Sequence, residues 1–172
     1  MKKLILLFVV LVNSIVFAQT WKLGSNHSVS FSNKDVSGTF SDVSGNISLD
    51  ENKLDDATLD LKIKVSSINT GNGIQNKHAT SDEWFNADKY PYIEFTAKKI
   101  EKTENGFKAV GTLQIKNVSK EISIPITFSK KGSKGTMTAK FSVERTDYGV
   151  GKKGNDVAET LKIVATIEVQ KK

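Results

Sequence analysis

The residues that could carry out chemistry are few in this sequence, and the absent types exclude several classes of site. The chain has no Cys and two His, His27 and His78. Without thiols, the protein cannot form disulfides, a Cys nucleophile, an Fe–S cluster or a Cys-type zinc site. Two His cannot supply a three-His metal site, and no H-x-H or H-E-x-x-H spacing favours a two-His site. We therefore predict no bound metal ion and interpret both His first as structural residues.

Catalysis by a nucleophile or by an acid–base pair has no motif to support it. Ser, Asp and His are present, but no G-x-S-x-G elbow or other spacing specifies a catalytic triad. The adjacent carboxylates of Asp55 and Asp56 fall in a turn between two predicted strands, where solvated Asp is ordinary. We expect no catalytic residue, no cofactor and no enzyme activity, and we retain an exported hydrolase as one alternative.

Arg145 is the charged residue whose position is most informative, and it is the only Arg in the chain. Apolar and polar residues alternate from Met137 to Val143, and continuing this alternation places Arg145 on the apolar, inward face. A buried charge is costly unless it has a partner. Two interpretations are open at this point: an ion pair with Asp147 or Asp82, or a polar contact to the head group of a ligand.

The basic character of the chain comes almost entirely from Lys. Lys and Arg total 25 and Asp and Glu total 19, which gives a formal net charge of +6 at pH 7. Proteins that bind nucleic acids concentrate Arg side chains and stacking aromatic residues, and neither is concentrated here. The Lys doublets are interpreted as solvated residues at strand margins, and no nucleic-acid partner is expected.

Alternation of apolar and polar residues through most of the chain predicts β-strands. Between Ala57 and Ser66, apolar residues occupy the odd positions and polar residues the even ones, and similar runs begin at Ile122, Met137 and Leu161. About eight such strands, with no helices to cover their apolar faces, must bury those faces against one another. We predict an all-β, antiparallel, eight-stranded barrel, with a two-sheet sandwich as the alternative.

The connection over residues 66–92 breaks this alternation and is too long for a hairpin loop. Its segment TSDE fits a capping box, with Thr80 as the N-cap and Glu83 at the third helical position. We therefore predict a short helix after Thr80 that carries Trp84 and Phe85 and covers one end of the barrel.

Residues 1–18 have the order of regions found in a secretory signal peptide. A basic start over residues 1–3 is followed by an apolar run over residues 4–12 and a cleavage position after Ala18. The apolar run is shorter than the roughly 17–25 residues that a membrane span requires, so no stable membrane span is expected. We predict a periplasmic or secreted protein whose residues 19–172 form one domain.

Several phrases of the sequence, in this order, resemble the YceI-like family of exported lipocalin-like barrels. The most specific phrase is residues 81–95, which read SDEWFNADKYPYIEF. The other phrases support it in combination, and they are His27–Phe31, Val36–Phe40, Ser67–Asn72 with His78, Gly111–Ile115, Val118–Lys120 with Ile124–Pro125, and Arg145–Val150.

The resemblance implies a lipocalin-like barrel with a short α-helix in its long loop. It also implies an apolar tunnel that binds and carries a polyisoprenoid chain, such as that of a quinone or a prenyl phosphate, without chemistry. The alternative is an exported stress-related or adhesion barrel whose interior is filled by its own side chains. A homodimer is one assembly that the sequence allows.

The expected ligand-binding residues combine the inward positions of the strands with the long loop and with the Arg145 phrase, which would lie near the ligand head group. They are Phe31, Phe40, Leu61, Ile63, Ile68, His78, Trp84, Phe85, Phe95, Ile115, Phe128, Phe141, Arg145, Tyr148 and Ile163. The chain departs from the family pattern in three places. Residues 74–77 replace a loop that often contains an Arg-Asp pair, Ala79 replaces a common Leu, and Asn117 replaces a common Gly.

Overall fold

The computed structural model describes residues 20–171, which form one curled antiparallel sheet and one α-helix. The predicted signal peptide at residues 1–18 lies outside the described residues. The helix α1 spans Gly73–Thr80. The ten strand segments are β1 (Trp21–Ser32), β2 (Ser37–Phe40), β3 (Val43–Ser48), β4 (Thr58–Lys64), β5 (Ile68–Asn69), β6 (Tyr92–Thr103), β7 (Gly106–Ile115), β8 (Val118–Lys131), β9 (Lys134–Glu144) and β10 (Thr160–Lys171).

These ten segments make up the eight strands that the alternation predicts. Neighbours pair in the order β3-β4-β6-β7-β8-β9-β10-β1-β2-β5, always antiparallel. β2 and β3 are one strand interrupted at residues 41–42, and β4 and β5 are one strand interrupted by a 3₁₀ turn at Val65–Ser67. The Trp21 N–H donates to the Leu49 carbonyl at 2.8 Å, and the Leu49 N–H donates back at 3.1 Å. This bridge continues the pairing of β1 with β2 into the strand that contains β3. That strand pairs on its other side with the strand of β4 and β5, so the sheet curls into a barrel.

The inward positions of the strands form one continuous hydrophobic core. Met137 of β9 pairs with Ile167 of β10, and both side chains are buried inside the barrel. Ala109 and Val169 are completely buried. Since burying a Val, Leu, Ile or Phe side chain contributes roughly 1.5–3 kcal/mol, this interior is the main source of stability.

One end of the barrel, which we call the closed end, is sealed by three aromatic rings. The Trp21 ring meets the Phe128 ring edge-on at 5.1 Å between centroids, and the Phe107 ring lies 5.7 Å from Phe128. Trp21 is only 1% exposed, and its indole N–H donates to Glu51 at 3.1 Å. Lys130 Nζ donates to both oxygens of the same carboxylate, at 3.0 and 2.8 Å. Apolar packing and a satisfied polar network together close this end.

The opposite end, which we call the mouth, is built from non-strand segments. It comprises α1, a run of turns at residues 81–90, and the loop at residues 149–159. Within residues 20–171, no helix is long and apolar enough to cross a membrane.

Strands β8 and β9 separate toward the mouth. Their pairing begins at Ile126, directly after Pro125, which has no N–H to donate. The 3₁₀ turn that follows β9 lies against the part of β8 that does not pair with β9. Tyr148 of this turn is 3% exposed under the ammonium of Lys120, which also pairs with Asp147 at 2.6 Å.

The helix lies earlier in the long loop than the capping-box motif predicts, so that prediction is wrong in position. Asn72 is the actual N-cap, and its side chain accepts the N–H groups of the second and third helical residues at 2.9 and 3.2 Å. Thr80 is the last helical residue, and its hydroxyl donates back to the Asn76 carbonyl at 3.2 Å. Thr side chains make this local bond as an alternative to capping. Trp84 and Phe85 follow in turns.

Candidate functional site

A cavity of about 300 Å³ lies inside the barrel between the closed end and the mouth. Inward side chains from the strands form its walls, and they are almost entirely aliphatic or aromatic. An apolar cavity of about 150 Å³ suffices to stay dry and bind benzene, and small-molecule sites start at about 300 Å³. The cavity is therefore large enough to hold an apolar ligand and contains few groups with which to hold a polar one.

The structure brings most of the expected ligand-binding residues together around this cavity. On its walls and at its mouth lie Phe31, Phe40, Leu61, Ile63, Ile68, His78, Trp84, Phe85, Phe95, Ile115, Phe141, Arg145 and Ile163.

Phe128 and Tyr148 are the two expected residues that the structure places elsewhere. Phe128 has the inward alternation, but it lies so far along β8 that its ring packs between Trp21 and Phe107 at the closed end. Tyr148 lies in the 3₁₀ turn after β9, beside β8, because the strand ends at Glu144. Neither side chain lines the cavity.

Other lining residues were not among those expected. The strand residues among them follow the same alternation and could have been found by extending it: Val29, Val43, Ile47, Leu59, Ile93, Leu113, Ile124, Ile126, Met137, Ala139, Val143, Leu161, Ala165 and Ile167. The remainder come from loops and from α1, where no periodic signal exists: Asp35, Val36, Thr70, Gln75, Ala79, Val150 and Val157.

Arg145 is the polar centre of the mouth, although it is only 2% exposed. Its Nε, Nη1 and Nη2 atoms donate, over 2.5–3.3 Å, to one side chain and four backbone carbonyls of the 149–159 loop. These acceptors are Asn155 Oδ1 and the carbonyls of Val150, Lys152, Val157 and Ala158. Burial lowers the pKa of Arg145, and the charge of Glu159 opposes this shift. The guanidinium remains charged at any ordinary pH.

The expected ion pair of Arg145 with Asp147 or Asp82 is wrong. The 3₁₀ turn directs Asp147 toward β8, where it pairs with Lys120. Loop carbonyls, rather than a carboxylate, compensate the buried guanidinium.

Trp84 connects the turns at residues 81–90 to this arrangement. Its ring centroid lies 5.1 Å from Cζ of Arg145, a distance typical of a cation–π contact. Gly151 has a φ of +66° and packs so closely that an added Cβ would lie 2.7 Å from Arg145 Nη1 and 3.1 Å from the Trp84 ring. The Gly151 N–H donates to the Glu83 carbonyl at 3.0 Å. These contacts hold the two loop segments of the mouth together.

Within residues 20–171, four more polar residues reach the cavity, all at the mouth. Asp35 accepts the Ala158 N–H at 2.7 Å, and the Thr70 hydroxyl donates to Asn76 at 2.9 Å. Gln75 and His78 lie three residues apart on α1, so they share one helical face.

The second histidine, His27, lies in β1 beside a register shift and pairs with Ile167. It does not line the cavity, and its Nδ1 is buried without a hydrogen-bond partner. Across residues 20–171, no three His, Asp or Glu side chains are grouped to hold a metal ion.

Comparison with known proteins identifies the relationship. The family model described as YceI-like domain matches residues 21–169. The chain belongs to the YceI-like family. A UPF0312 protein of Photorhabdus laumondii is 31% identical over 85 residues, which cover 49% of this chain and 44% of that protein. A UPF0312 protein of Pseudomonas syringae pv. tomato is 30% identical over 145 residues, which cover 80% of this chain and 75% of that protein.

Solved structures share the fold of this YceI-like barrel. BcnA of Burkholderia cenocepacia superposes with a TM-score of 0.78 at 23% identity, over 83% of this chain and 95% of that one. A polyisoprenoid binding domain from Saccharophagus degradans superposes with a TM-score of 0.64 at 14% identity, over 88% of this chain and 98% of that one. These similarities confirm the all-β antiparallel barrel with one short helix that the sequence predicts.

Proposed function

We propose that this YceI-like barrel binds and carries a long-chain isoprenoid lipid, of polyprenyl or quinone type, without catalysing a reaction. The cavity of about 300 Å³ with apolar walls is the observation that carries the proposal. The similar Saccharophagus degradans domain is a polyisoprenoid binding domain, which supports the same class of ligand.

The energetics of an apolar cavity favour a long chain over a small solute. Each buried methylene contributes about 0.8 kcal/mol, whereas association costs roughly 4–15 kcal/mol in lost freedom of motion. A ligand that offers only hydrophobic contact must therefore bury on the order of ten or more methylene equivalents. Affinity should rise with each isoprene unit until the chain fills the cavity.

A prenol series of one to four isoprene units tests this dependence directly. We expect the dissociation constant of the wild-type protein to fall by about tenfold or more per added unit over the first units. Equal affinity for the shortest and longest members would contradict a chain-binding cavity.

A pair of matched variants tests whether the ligand lies inside the cavity. Ala165 lines the cavity on β10, and the next residue, Thr166, is exposed on the outer face. We expect Ala165→Phe to weaken binding of the longest prenol by at least tenfold, with thermal stability close to that of the wild type. Thr166→Phe should leave the affinity unchanged.

The same pair of variants tests the self-packed alternative. If the barrel interior is filled by its own side chains, Ala165→Phe overpacks it and destabilises the fold by about 1–3 kcal/mol. Such a loss of stability, together with no binding of any prenol by the wild type, would contradict lipid carriage. It would favour the alternative of a stress-related or adhesion barrel.

Export is the part of the proposal that concerns location in the cell. The basic, apolar and small-residue order of residues 1–18 supports cleavage after Ala18 and a periplasmic or secreted protein. The intact mass of the protein recovered from the periplasm or medium should begin at Gln19. Recovery of uncleaved chain in the membrane fraction would contradict export.

A further inference from the structure

We infer that the mouth of the barrel selects a lipid with a neutral, oxygen-containing head group over one with a phosphorylated head group. This inference rests on the proposed lipid-binding function, and it concerns the polar end of the ligand only.

Arg145, the buried cation of the mouth, has no donor to offer a phosphate. All three nitrogens of the Arg145 guanidinium already donate to the 149–159 loop, and the Trp84 ring covers it at 5.1 Å. An arginine has five N–H groups, and these contacts together with the bond from Nη1 to the Lys152 carbonyl at 3.3 Å account for all five. A phosphate could bind Arg145 only by displacing backbone carbonyls that would then be left without donors.

The cavity rim also contains a fixed negative charge. Asp35 lines the cavity, and one of its oxygens is held by the Ala158 N–H at 2.7 Å. The nearest ammonium in the described part of the chain, on Lys34, is 3.6 Å from the other oxygen and largely exposed. An anionic head group at the rim would therefore face a like charge, which disfavours its binding.

The remaining rim groups are neutral hydrogen-bonding side chains. Gln75 and His78 make no side-chain hydrogen bond within residues 20–171, so their donors are available on one face of α1. Thr70 also lines the cavity, but its hydroxyl proton is already donated to Asn76 at 2.9 Å. No Lys from this part of the chain lines the cavity. An amide and an imidazole suit a hydroxyl or carbonyl oxygen, because each can satisfy it without a compensating full charge.

The test compares prenyl lipids of one chain length that differ only in the head. The probes are a prenol, a prenylated quinone and a prenyl monophosphate, each titrated into the wild-type protein at about pH 8. We expect the prenol and the quinone to bind at least tenfold tighter than the monophosphate. Raising the salt concentration from about 50 to 500 mM should reduce this difference in affinity, because screening weakens the repulsion between Asp35 and the phosphate.

A charge-matched pair of variants assigns the effect to the rim. Asp35→Asn retains an oxygen for the Ala158 N–H, and we expect it to lower the ratio of the monophosphate to the prenol dissociation constant by about fivefold. Asp55→Asn makes the same charge change on an exposed residue of the turn at the closed end, and it should change neither affinity.

The outcomes separate this inference from the proposed function. Monophosphate binding as tight as prenol binding by the wild type would overturn the inference and leave lipid carriage intact. An equal response of the Asp35 and Asp55 variants would also overturn it. Failure of all three lipids to bind would overturn both the inference and the proposed function.

Discussion

The closed end and the mouth terminate the same eight strands in opposite ways. At the closed end, Trp21, Phe107 and Phe128 pack ring against ring, and the polar groups of Glu51 and Lys130 satisfy one another. At the mouth, Arg145 holds a loop through hydrogen bonds to its carbonyls. Alternation along strands builds the wall of a barrel, but each end requires residues outside that pattern.

The difference also indicates where a ligand enters. Each aromatic ring of the closed end buries about 150–250 Å² and would have to leave the core to open a passage. The mouth is assembled from a short helix, turns and a loop, which can open without disturbing the sheet. We therefore expect the ligand of the proposed function to enter through the mouth, and the following variants test this contrast between the two ends.

Trp21→Ala should have the largest effect of these variants on stability. It removes one of the three rings that seal the closed end and leaves a cavity, so we expect a loss of about 3–5 kcal/mol in the free energy of unfolding. Chemical denaturation measures this loss, and Trp21→Phe should recover part of it. Prenol affinity of the folded fraction should stay near that of the wild type. A large loss of affinity would show that the closed end belongs to the binding site.

Arg145→Ala should have the next largest effect, confined to the mouth. The variant leaves several buried carbonyls without a charged donor, and each carbonyl that water cannot satisfy costs about 1–3 kcal/mol. We therefore expect the free energy of unfolding to fall by about 2–4 kcal/mol in total. Hydrogen exchange should accelerate in the 149–159 loop and remain slow in β7. Arg145→Lys keeps the charge without the planar fork and should be intermediate. Unchanged exchange in the loop would contradict the role of Arg145 as its anchor.

Trp84→Ala should affect ligand retention more than stability. Trp84 is half-buried and contacts Arg145 and Gly151, so we expect the free energy of unfolding to fall by about 1 kcal/mol. Prenol dissociation should become about tenfold faster, measured by transfer to acceptor vesicles. Tyr90→Ala alters an aromatic residue of the same turns that does not line the cavity, and it should leave the rate unchanged. Equal rates for wild type and Trp84→Ala would make Trp84 a structural plug.

Acidification should have the smallest effect on stability, and this effect should arise near the closed end of the barrel. Hydrogen bonds from Lys108 and Lys99 lower the pKa of Glu101 from 4.5 to about 2. This carboxylate therefore stabilises the fold above about pH 4.5, and the stabilisation is lost as the pH falls from 4.5 toward 2. For Glu51, burial raises the pKa, but hydrogen bonds from Lys130 and Trp21 outweigh it and lower the pKa overall.

The Glu101 variant provides the readout for this pH dependence. Glu101→Gln should flatten the decline of unfolding free energy below pH 4.5, whereas Glu104→Gln, at an exposed residue of the same hairpin, should not. A decline of equal slope in both variants would remove Glu101 from the explanation.

The wall of the barrel was predictable from the sequence because the β-strand period is a local property. Alternation correctly indicated the faces of β4, β8, β9 and β10, and hence the barrel. Alternation does not place a residue along the barrel axis, and it therefore predicts a cavity position for Phe128, whose ring seals the closed end. Axial position depends on register between strands and on where each strand starts.

The mouth was less predictable because its interactions have no sequence period. The inward position of Arg145 was correctly inferred, but its partners are backbone carbonyls, which every residue type possesses. The capping box predicts that a helix begins at Thr80, whereas the observed helix is capped by Asn72 and ends at Thr80. Asp35 and Gln75 reach the cavity only through tertiary structure, so sequence spacing contained no signal for them.

Native mass spectrometry of the protein purified without detergent tests directly whether the barrel contains a lipid. We expect a species heavier than the polypeptide by the mass of one long-chain isoprenoid lipid, and organic extraction should remove that added mass. Prenol should then restore a one-to-one complex in the wild type but not in Ala165→Phe. A bare polypeptide mass that no prenol increases, at any chain length, would contradict the account.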